Sequence, residues 1–347
     1  MAKRWVNRPE GSTWGEFGED DQLGRLNLLT PDRVRAATAE AKAGKTFCLS
    51  LPLDYPGGNV LNPRRLPPRL FSSLRDGKQN FNYRFDQDNP NHTDVVNDDV
   101  VLMTLQYSSQ WDSLSHVGSM FDADGDGKPE IVYYNGWRGG EHIVSAAENK
   151  DAKEPWAKFE GTQAKKLGVE NMAEACIQGR GVMIDLHAHF GRAPTSVGYD
   201  DLMRVLDKDK VEIQTGDLVC IHTGFADMLL EMNKQPDAHK VHNACAGLDG
   251  RDQKLLEWIT KSNLAVLIGD NYAVETVPPK GGNGSHAMLP LHEHCLFKLG
   301  VNLGEIWHLT PLATWLRQEH RSRFLLTAPP LRLPGAVGSP ANAIATV

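Results

Sequence analysis

The 347-residue chain has few cysteines, no long hydrophobic run and no cluster of basic residues. Its five cysteines are scattered without a C-x-x-C spacing, which argues against a thiolate zinc site and against a disulfide framework. No apolar run approaches the ~20 residues that span a bilayer, and the amino-terminal residues lack the apolar segment of a secretory signal. We therefore expect a cytoplasmic protein without a membrane partner.

The charge balance limits the partners further. The formal net charge is -7, and Lys and Arg form neither a patch nor a basic amphipathic helix, so the electrostatic footprint of a nucleic-acid-binding protein is missing. No glycine fingerprint for a dinucleotide follows a predicted strand. The expected partner is a small-molecule substrate.

Hydrophobic residues make up 40% of the chain, which is enough for a sizeable core. Short apolar runs that end in polar residues predict buried strands at 181–187, 217–222 and 264–270. Helical periodicity predicts helices at 199–206, 249–262 and 290–299. This alternation predicts an α/β fold with polar groups gathered at strand ends, where such folds build their sites.

Two segments lie outside this alternation. A helix is predicted over residues 32–43, with Thr30 as N-cap, Pro31 at the first helical position and Gly44 after its end. Residues 56–99 are rich in Pro, Asn, Asp and Arg, which predicts a long irregular excursion. Such a segment either lines or covers a site or is mobile.

The segment QYSSQWDSLSHVG at residues 106–118 alternates polar with other side chains. As a strand that runs into a loop, it would place every second side chain on one side. That side would hold Gln106, Ser108, Gln110, Asp112, Leu114 and His116. Amides, a carboxylate and an imidazole in one row favour a cavity, and the alternative is a sheet face washed by solvent.

The acidic string DADGDGKPE at residues 122–130 imitates the first half of an EF-hand calcium loop. Tyr133 stands where a bidentate Glu would close that loop, and Pro129 interrupts the path toward a helix. The string predicts an acidic turn rather than a calcium sensor, and it leaves open whether the turn holds a cation.

Histidines offer a better lead, because imidazole is the commonest metal ligand and the usual general base near neutral pH. His187 and His189 lie one strand period apart, either as ligands or as a polar strand end. His292 falls in the first turn of the last predicted helix above, and the strand that follows carries Glu305. Such a return can bring an imidazole and a carboxylate together.

These residues carry a resemblance to a known family. Residues 106–116 align without a gap with the signature His-x-Gly-Thr-His-x-Asp-x-Pro-x-His of the cyclase-like superfamily of metal-dependent hydrolases, which includes bacterial kynurenine formamidase and isatin hydrolase. Further segments that resemble the family are 14–31, 179–185, 217–225, 292–305 and 329–340. The resemblance implies one α/β domain over residues 1–347, with a mixed barrel-like β core and peripheral helices, commonly as a homodimer or larger oligomer.

The resemblance also implies roles for single residues. Asp112 matches the metal-binding aspartate, and His116 matches the histidine that acts as acid/base or orients the catalytic water. His292 and Glu305 match the distal metal ligands, with His294 as the alternative to His292.

The chain departs from the family pattern at Gln106 and Gln110, which stand where two metal-binding histidines are usual. An amide oxygen is a weaker ligand than imidazole for zinc, although it is acceptable to manganese or magnesium. Larger members of the superfamily look similar in having Gln-Trp-Asp here, so the exchange indicates a subgroup trait. The expected cofactor is a divalent metal, manganese or zinc, and the alternative is a site without metal.

Three functions stay open. In the first, a metal-activated water hydrolyses a C–N or C–O bond of an amide, lactam or lactone, with His116 as acid/base. In the second, His116 and Asp112 form a metal-independent general base for cyclisation, dehydration or hydrolysis, and the glutamines donate to an oxyanion. In the third, the protein binds a small molecule without catalysis.

Large side chains near the predicted site favour an aromatic or apolar substrate. The expected substrate contacts are Trp111, Phe121, His187 and Phe225. Each of the aromatic residues would serve equally well in the core.

Overall fold

Short β-strands form the centre of the molecule in the computed structural model, which describes residues 4–282 and 284–347. Their bounds are β1 Thr46–Cys48, β2 Gln110–Asp112, β3 Gln178–Asp185, β4 Leu218–His222, β5 Val266–Gly269, β6 Asn302–Glu305, β7 Arg323–Thr327, β8 Gly338–Pro340 and β9 Ile344–Thr346. They form one curled sheet, half of a barrel, in the order β1-β9-β7-β3-β4-β5-β6-β2-β8. Strands β3 to β6 run parallel and the flanking strands antiparallel, which confirms the predicted single-domain α/β fold with a mixed, barrel-like core.

Helices pack around this sheet. Those in the described residues are α1 Pro31–Thr38, α2 Val169–Glu174, α3 His187–Phe190, α4 Tyr199–Asp209, α5 Phe225–Glu231, α6 Ala238–His242, α7 Gln253–Ser262, α8 Pro290–His292 and α9 Thr310–Gln318. A π-helix, Glu293–Leu299, continues α8, and 3₁₀ turns lie at Gly24–Leu28, Phe85–Gln87, Tyr134–Gly136 and Pro155–Phe159. Helices α4, α7 and α8 confirm the three helices predicted between and after the strands. Within the described ranges, no helix has the length and hydrophobicity needed to cross a membrane.

Helix α7 shows how local sequence sets the bounds of an element. The Asp252 carboxylate caps its start by accepting hydrogen bonds from two backbone N–H groups of the first turn. Asn263 follows the last turn with a φ of 53°, a left-handed conformation that ends helices. The buried Arg25 guanidinium donates to two carbonyl oxygens of that turn, so their hydrogen-bonding capacity is used.

The sheet separates two hydrophobic cores. Leu303 of β6 belongs to the first core and Trp111 of β2 to the second. Asp112 pairs with Leu303 across the two strands, and Glu305 lies two residues further along β6, so both carboxylates lie on the first face. By the same alternation His222, at the end of β4, lies on the second face.

Residues 56–102 form an arm in which turns and irregular segments, predicted as an excursion at 56–99, connect three two-stranded ribbons with strands of two to four residues. The ribbons pair Arg69–Ser72 with Asp99–Leu102, Leu74–Arg75 with Lys78–Gln79, and Tyr83–Arg84 with Val95–Val96. Strand-favouring residues such as Phe71, Tyr83, Val95–Val96 and Val100–Val101 lie in these strands, whereas the Asn and Pro residues that indicated irregular structure lie in the connections. Elsewhere, further ribbons pair Ser119–Phe121 with Glu130–Val132, Ile143–Val144 with Gln163–Ala164, and Thr195–Val197 with Ala246–Leu248.

Helix α1 starts at Pro31 as expected but ends at Thr38, so the predicted extension to Ala43 is wrong. The helix ends early because the following residues pair with the chain end next to β9. There the backbone N–H of Ala43 donates to the carbonyl of Val347 over 2.8 Å. Tertiary pairing thus outweighs the local helical periodicity.

The polar segment is also less regular than predicted, because only β2 within it is extended. Gln106 lies in a turn before β2, and His116 lies in a turn after it, where its N–H donates to the Ser113 carbonyl over 3.0 Å. Serine side chains offer the backbone local hydrogen bonds that compete with a ladder. Only Gln110 and Asp112 of the predicted polar row therefore share one strand face.

Candidate metal and catalytic site

Two carboxylates and an imidazole meet on the first face of the sheet. Glu305 ends β6, Asp112 ends the antiparallel β2, and His292 ends α8. All three side chains are buried, and one ligand atom from each lies within 4.8 Å of those of the other two. His292 Nε2 is 3.0 Å from Glu305 Oε1 and 3.9 Å from Asp112 Oδ2. The strand ends and the helix thus converge on one small polar centre.

Burial and neighbouring charge set the protonation of this group. Burial raises the pKa of Asp112, against the opposing effect of the His116 charge. Burial by itself would lower the pKa of His292, but hydrogen bonds to Glu275 and Glu305 outweigh it and raise that pKa to about 10. Burial likewise opposes the lowered pKa of Glu305, which its hydrogen bond with His292 causes. The carboxylates therefore favour a positive charge at this point.

The remaining oxygen of Asp112 tests whether these residues fit a metal ion. Oδ1 accepts a hydrogen bond from Gln110 Nε2 over 3.1 Å, whereas Oδ2 is buried and has no hydrogen-bond partner in the described part of the chain. A buried carboxylate oxygen without a partner is costly unless a positive charge compensates it. Two carboxylates and one imidazole are also donors that manganese and zinc accept, so the residues fit a divalent ion.

Gln110 joins the two carboxylates as a donor. Its Nε2 donates to Asp112 Oδ1 and to Glu305 Oε2, each over 3.1 Å. Its Oε1 instead accepts from the Arg65 guanidinium over 3.2 Å. The amide oxygen, which would be the metal-binding atom, therefore faces the arm rather than the three ligand-type side chains.

Gln106 reaches the same face from its turn. Gly338 of β8 pairs with Asp112, and a Cβ at that glycine would collide with the Gln106 amide. The Gln106 side chain thus occupies the space beside Asp112 that a larger residue at 338 would fill. Arg65 fixes the turn from outside by donating to the Gln106 carbonyl over 2.8 Å.

His116 is the second imidazole at the site. Its Nε2 lies 3.8 Å from Asp112 Oδ1, which is too far for a hydrogen bond, and its side chain is 20% exposed. Asp112 and Glu305, by contrast, are closed to solvent. An imidazole that reaches both the buried carboxylate and the solvent is suited to proton transfer.

Comparison with known families bears on this arrangement. Residues 49–276, more than half of the chain, match one family whose description is "Putative cyclase". The chain belongs to the cyclase family. This confirms the predicted family, and the subgroup trait assigned to Gln106 and Gln110 stays a prediction. A search of curated proteins found no match.

Solved structures agree with the family assignment. A crystal structure described as a novel cyclase is 33% identical, covers 97% of each chain and gives a TM-score of 0.72. Isatin hydrolase A from Labrenzia aggregata, bound to benzyl benzoate, is 15% identical over 90% of this chain and 98% of its own, with a TM-score of 0.54. Isatin hydrolase A from Ralstonia solanacearum is 14% identical over 91% and 98%, with the same score. The isatin hydrolases thus share the fold.

His294, the alternative ligand, points away from the site. Its Nε2 lies 2.9 Å from the Leu256 carbonyl and 3.0 Å from Thr260 Oγ1 of helix α7. Burial lowers its pKa to about 4. The structure therefore brings His292, and not His294, next to Glu305.

His187 belongs to a different polar cluster. Its ring packs on His222, with ring centroids 5.4 Å apart, and its Nδ1 is buried without a partner among the described residues. His222 lies on the second face of the sheet, so His187 is not brought to Asp112. His189 pairs with Asp209 over 2.8 Å and does not share a strand face with His187, because both lie in α3.

The three aromatic residues expected to contact substrate lie in cores. Trp111 lies on the second face, where its Nε1 donates to the Ala328 carbonyl. Phe225, at the start of α5, is buried in a third core cluster. Phe121 is partly buried and packs edge-on against Phe297, which follows His292 in the π-helix. Of these three aromatic residues, Phe121 is the one that contacts the π-helix continuing α8, the helix of His292.

The acidic string forms the loop of the ribbon between Ser119–Phe121 and Glu130–Val132. Asp122 accepts hydrogen bonds from the backbone N–H groups of Gly125 and Gly127. Carboxylate oxygens of Asp122, Asp124 and Asp126 lie within 4.8 Å of one another. Strands rather than helices flank the loop, so it is an acidic turn and not an EF-hand.

Two residues of this site carried no signal in the sequence. Glu275 follows β5 in a loop and binds His292, while Arg65 belongs to the arm and binds Gln110. Neither lies in a periodic segment or in a motif. Only the folded chain brings them to residues that are far away in sequence.

Proposed function

We propose that the protein is a hydrolase that cleaves a C–N or C–O bond of a small amide, lactam or lactone with the help of a divalent metal. The observation that carries this proposal is the buried group of Asp112, His292 and Glu305, in which Asp112 Oδ2 accepts no hydrogen bond from the described residues. Membership of the cyclase family and the fold shared with isatin hydrolases, whose name refers to a cyclic substrate, support it.

Asp112, His292 and Glu305 are the residues that would hold the ion. With two oxygen ligands to one nitrogen, the set favours manganese ahead of zinc. The ion would supply Lewis acidity, which lowers the pKa of water and polarises a carbonyl group. Gln110 orients both carboxylates by donating to each of them, rather than acting as a ligand.

The acid/base work falls to His116. Its imidazole lies on the solvent side of Asp112 and takes a proton from the attacking water, then delivers it to the leaving nitrogen or oxygen. The Arg65 guanidinium adds a positive charge near the same place, where negative charge develops on a carbonyl oxygen during attack. The Gln106 side chain occupies the space beside Asp112, above Gly338.

Metal removal and substitution of Asp112 test the proposal together. After exhaustive chelation, titration calorimetry with Mn²⁺ and Zn²⁺ should give one site per chain, and Asp112→Asn should abolish it. Asp32→Asn removes an exposed carboxylate that pairs with Arg35 and is the matched control, with binding unchanged. Turnover of a panel of cyclic amides, lactones and N-formyl arylamines should depend on the added metal.

Other outcomes contradict the proposal in distinct ways. Full turnover by the metal-free protein would favour the metal-independent mechanism, with His116 as general base. Binding of panel compounds without turnover, with or without metal, would favour a binding protein. Metal binding that Asp112→Asn leaves intact would move the ion to other residues.

The proposal includes a homo-oligomer, for which the arm gives the reason. In its first ribbon Leu70 pairs with Val101 on one side and Phe71 with Val100 on the other, and all four are exposed. An isolated two-stranded ribbon is marginally stable, and one that exposes apolar pairs on both sides needs a permanent partner. A second copy of the chain is the commonest partner of this kind.

A further inference from the structure

The Glu275 carboxylate makes an unusual set of hydrogen bonds. Its Oε1 lies 2.7 Å from His292 Nδ1 and accepts the His292 backbone N–H over 3.0 Å. Its Oε2 accepts the backbone N–H of Leu291 over 3.0 Å. Glu275 is 1% exposed, so these bonds are closed to water. The Glu275 carboxylate therefore forms hydrogen bonds both to the His292 ring and to the backbone of the helical turn that carries His292.

The loop that carries Glu275 is held in a strained conformation. Ala273 and Val274, which precede it, have φ values of 79° and 57°, and a β-branched residue such as Val274 rarely enters this region. Ile306, which follows Glu305, is a second β-branched residue of this kind, with a φ of 56°. Strain of this sort persists only where surrounding contacts fix it, and it is concentrated at functional sites.

Asn271 connects the two strained turns. Its Nδ2 donates to the Val274 carbonyl over 3.3 Å, and its backbone carbonyl accepts the N–H of Ile306 over 3.1 Å. The turns that carry Glu275 and Glu305 are therefore connected through one buried residue, by its side chain on one side and by its backbone carbonyl on the other. His292 lies between these two carboxylates, with one ring nitrogen directed to each.

We infer that Glu275 is a positioning residue that holds a proton on Nδ1 of the His292 ring, so that a divalent metal binds at Nε2 in place of the proton directed to Glu305. A carboxylate on the far nitrogen fixes the tautomer and orientation of a ligand histidine and makes it a stronger donor. The inference rests on the proposed function. It goes beyond it by assigning metal affinity to a residue that is not itself a ligand.

The test compares Glu275→Gln with the wild-type protein by competition for Zn²⁺ against a chelator of known affinity. The amide has the shape of the carboxylate but can present an N–H to the His292 ring, so the Kd for Zn²⁺ should rise about 10- to 100-fold. Asp252→Asn is the matched control, because Asp252 also accepts backbone N–H groups at a helix start but contacts no ligand. That control should lower Tm and leave the Kd unchanged.

A second measurement uses the unaltered protein and holds even if Glu275→Gln fails to fold. In the Zn²⁺-loaded wild type, ¹⁵N NMR of the histidine rings should show the His292 proton on Nδ1, slow to exchange with water. A proton on Nε2, or an unchanged Kd in folded Glu275→Gln, would overturn the inference. If the wild type binds no metal at all, the proposed function fails instead.

Discussion

His116 differs from the three ligand-type residues in one respect that decides its role. Asp112, His292 and Glu305 are buried, whereas the His116 ring keeps contact with solvent and makes no hydrogen bond to Asp112. A group that is free of the metal can change its protonation during each turnover. Metal affinity and acid/base catalysis are thus assigned to separate residues, and they can be separated by substitution.

We expect His116→Gln to lower kcat by about 10²- to 10⁴-fold, the usual contribution of a general acid/base. Its Kd for Mn²⁺ should stay within a factor of about three, because a glutamine at this place leaves the ligands intact. Steady-state kinetics on a hydrolysed compound of the panel and titration calorimetry measure the two quantities. His239→Gln, on the exposed helix α6, controls for the loss of a histidine. A wild-type kcat in His116→Gln would remove this residue from the mechanism.

At this scale the sequence predicts which ligand-type residues meet better than it predicts their surroundings. The resemblance to the family picks out Asp112, His292 and Glu305, and the structure brings these three together. It does not indicate that the Gln110 amide nitrogen faces the carboxylates, because that orientation depends on Arg65 of the arm. The sequence does not predict Glu275 for the same reason, since Glu275 contacts the site only through residues that are distant in sequence.

At the scale of elements, a polar cluster of Asp185, His222, Thr310 and Arg317 connects two parallel strands to helix α9 on the second face of the sheet. Asp185 at the end of β3 accepts from His222 of β4 over 2.8 Å and forms an ion pair with Arg317 of α9. The His222 Nε2 lies 3.1 Å from Thr310 Oγ1 at the start of the same helix. Burial raises the pKa of Asp185, but these partners outweigh it and lower that pKa to about 2. The ionised carboxylate therefore stabilises the packing of α9.

Asp185→Asn should lower the free energy of unfolding by about 2 kcal/mol near neutral pH, which corresponds to a pKa lowered from 3.8 to about 2. Because the folded pKa is below the unfolded one, this stabilisation is present above about pH 4 and is lost as the pH falls toward about 2. The two proteins should thus converge in acid. Urea unfolding over this range measures the difference.

Asp20→Asn controls for the loss of one carboxylate, because Asp20 pairs with Arg4 at the exposed surface. Such pairs contribute little to stability, so its unfolding midpoint should match that of the wild type. A difference between Asp185→Asn and wild type that stays constant down to acid pH would contradict the role assigned to the charge of Asp185.

The predictability of elements follows their burial. The apolar runs at 181–187, 217–222 and 264–270 form β3, β4 and β5, because a continuous apolar run of this length suits a strand that is covered on both faces. Prediction fails where tertiary contacts decide, as after Thr38 of α1 and around Gln106. These segments hold polar or small residues, which are compatible with several conformations.

At the scale of the whole molecule, the exposed apolar residues of the arm have no role in a single copy of the chain. Leu70→Ser combined with Val101→Ser removes one apolar pair from the first ribbon. We expect this variant to shift the protein toward the mass of one chain in size-exclusion chromatography with light scattering, while Mn²⁺ binding persists. The physical reason is that another copy covers this exposed pair in the proposed oligomer.

Val6→Ser is the matched control for that variant, since Val6 is also an exposed apolar residue but lies outside the arm. Its oligomeric state should equal that of the wild type. A wild-type protein with the mass of one chain would contradict the proposed oligomer without affecting the proposal for the metal site.

The absent side chain of Gly338 has a consequence for how this chain can vary. It leaves the room in which the Gln106 amide lies, although the two positions are far apart in sequence and on different elements. Gly338 cannot gain a side chain while Gln106 keeps its length and position. A variant with a larger residue at 338 therefore needs a shorter residue at 106, so the two positions have to be changed together.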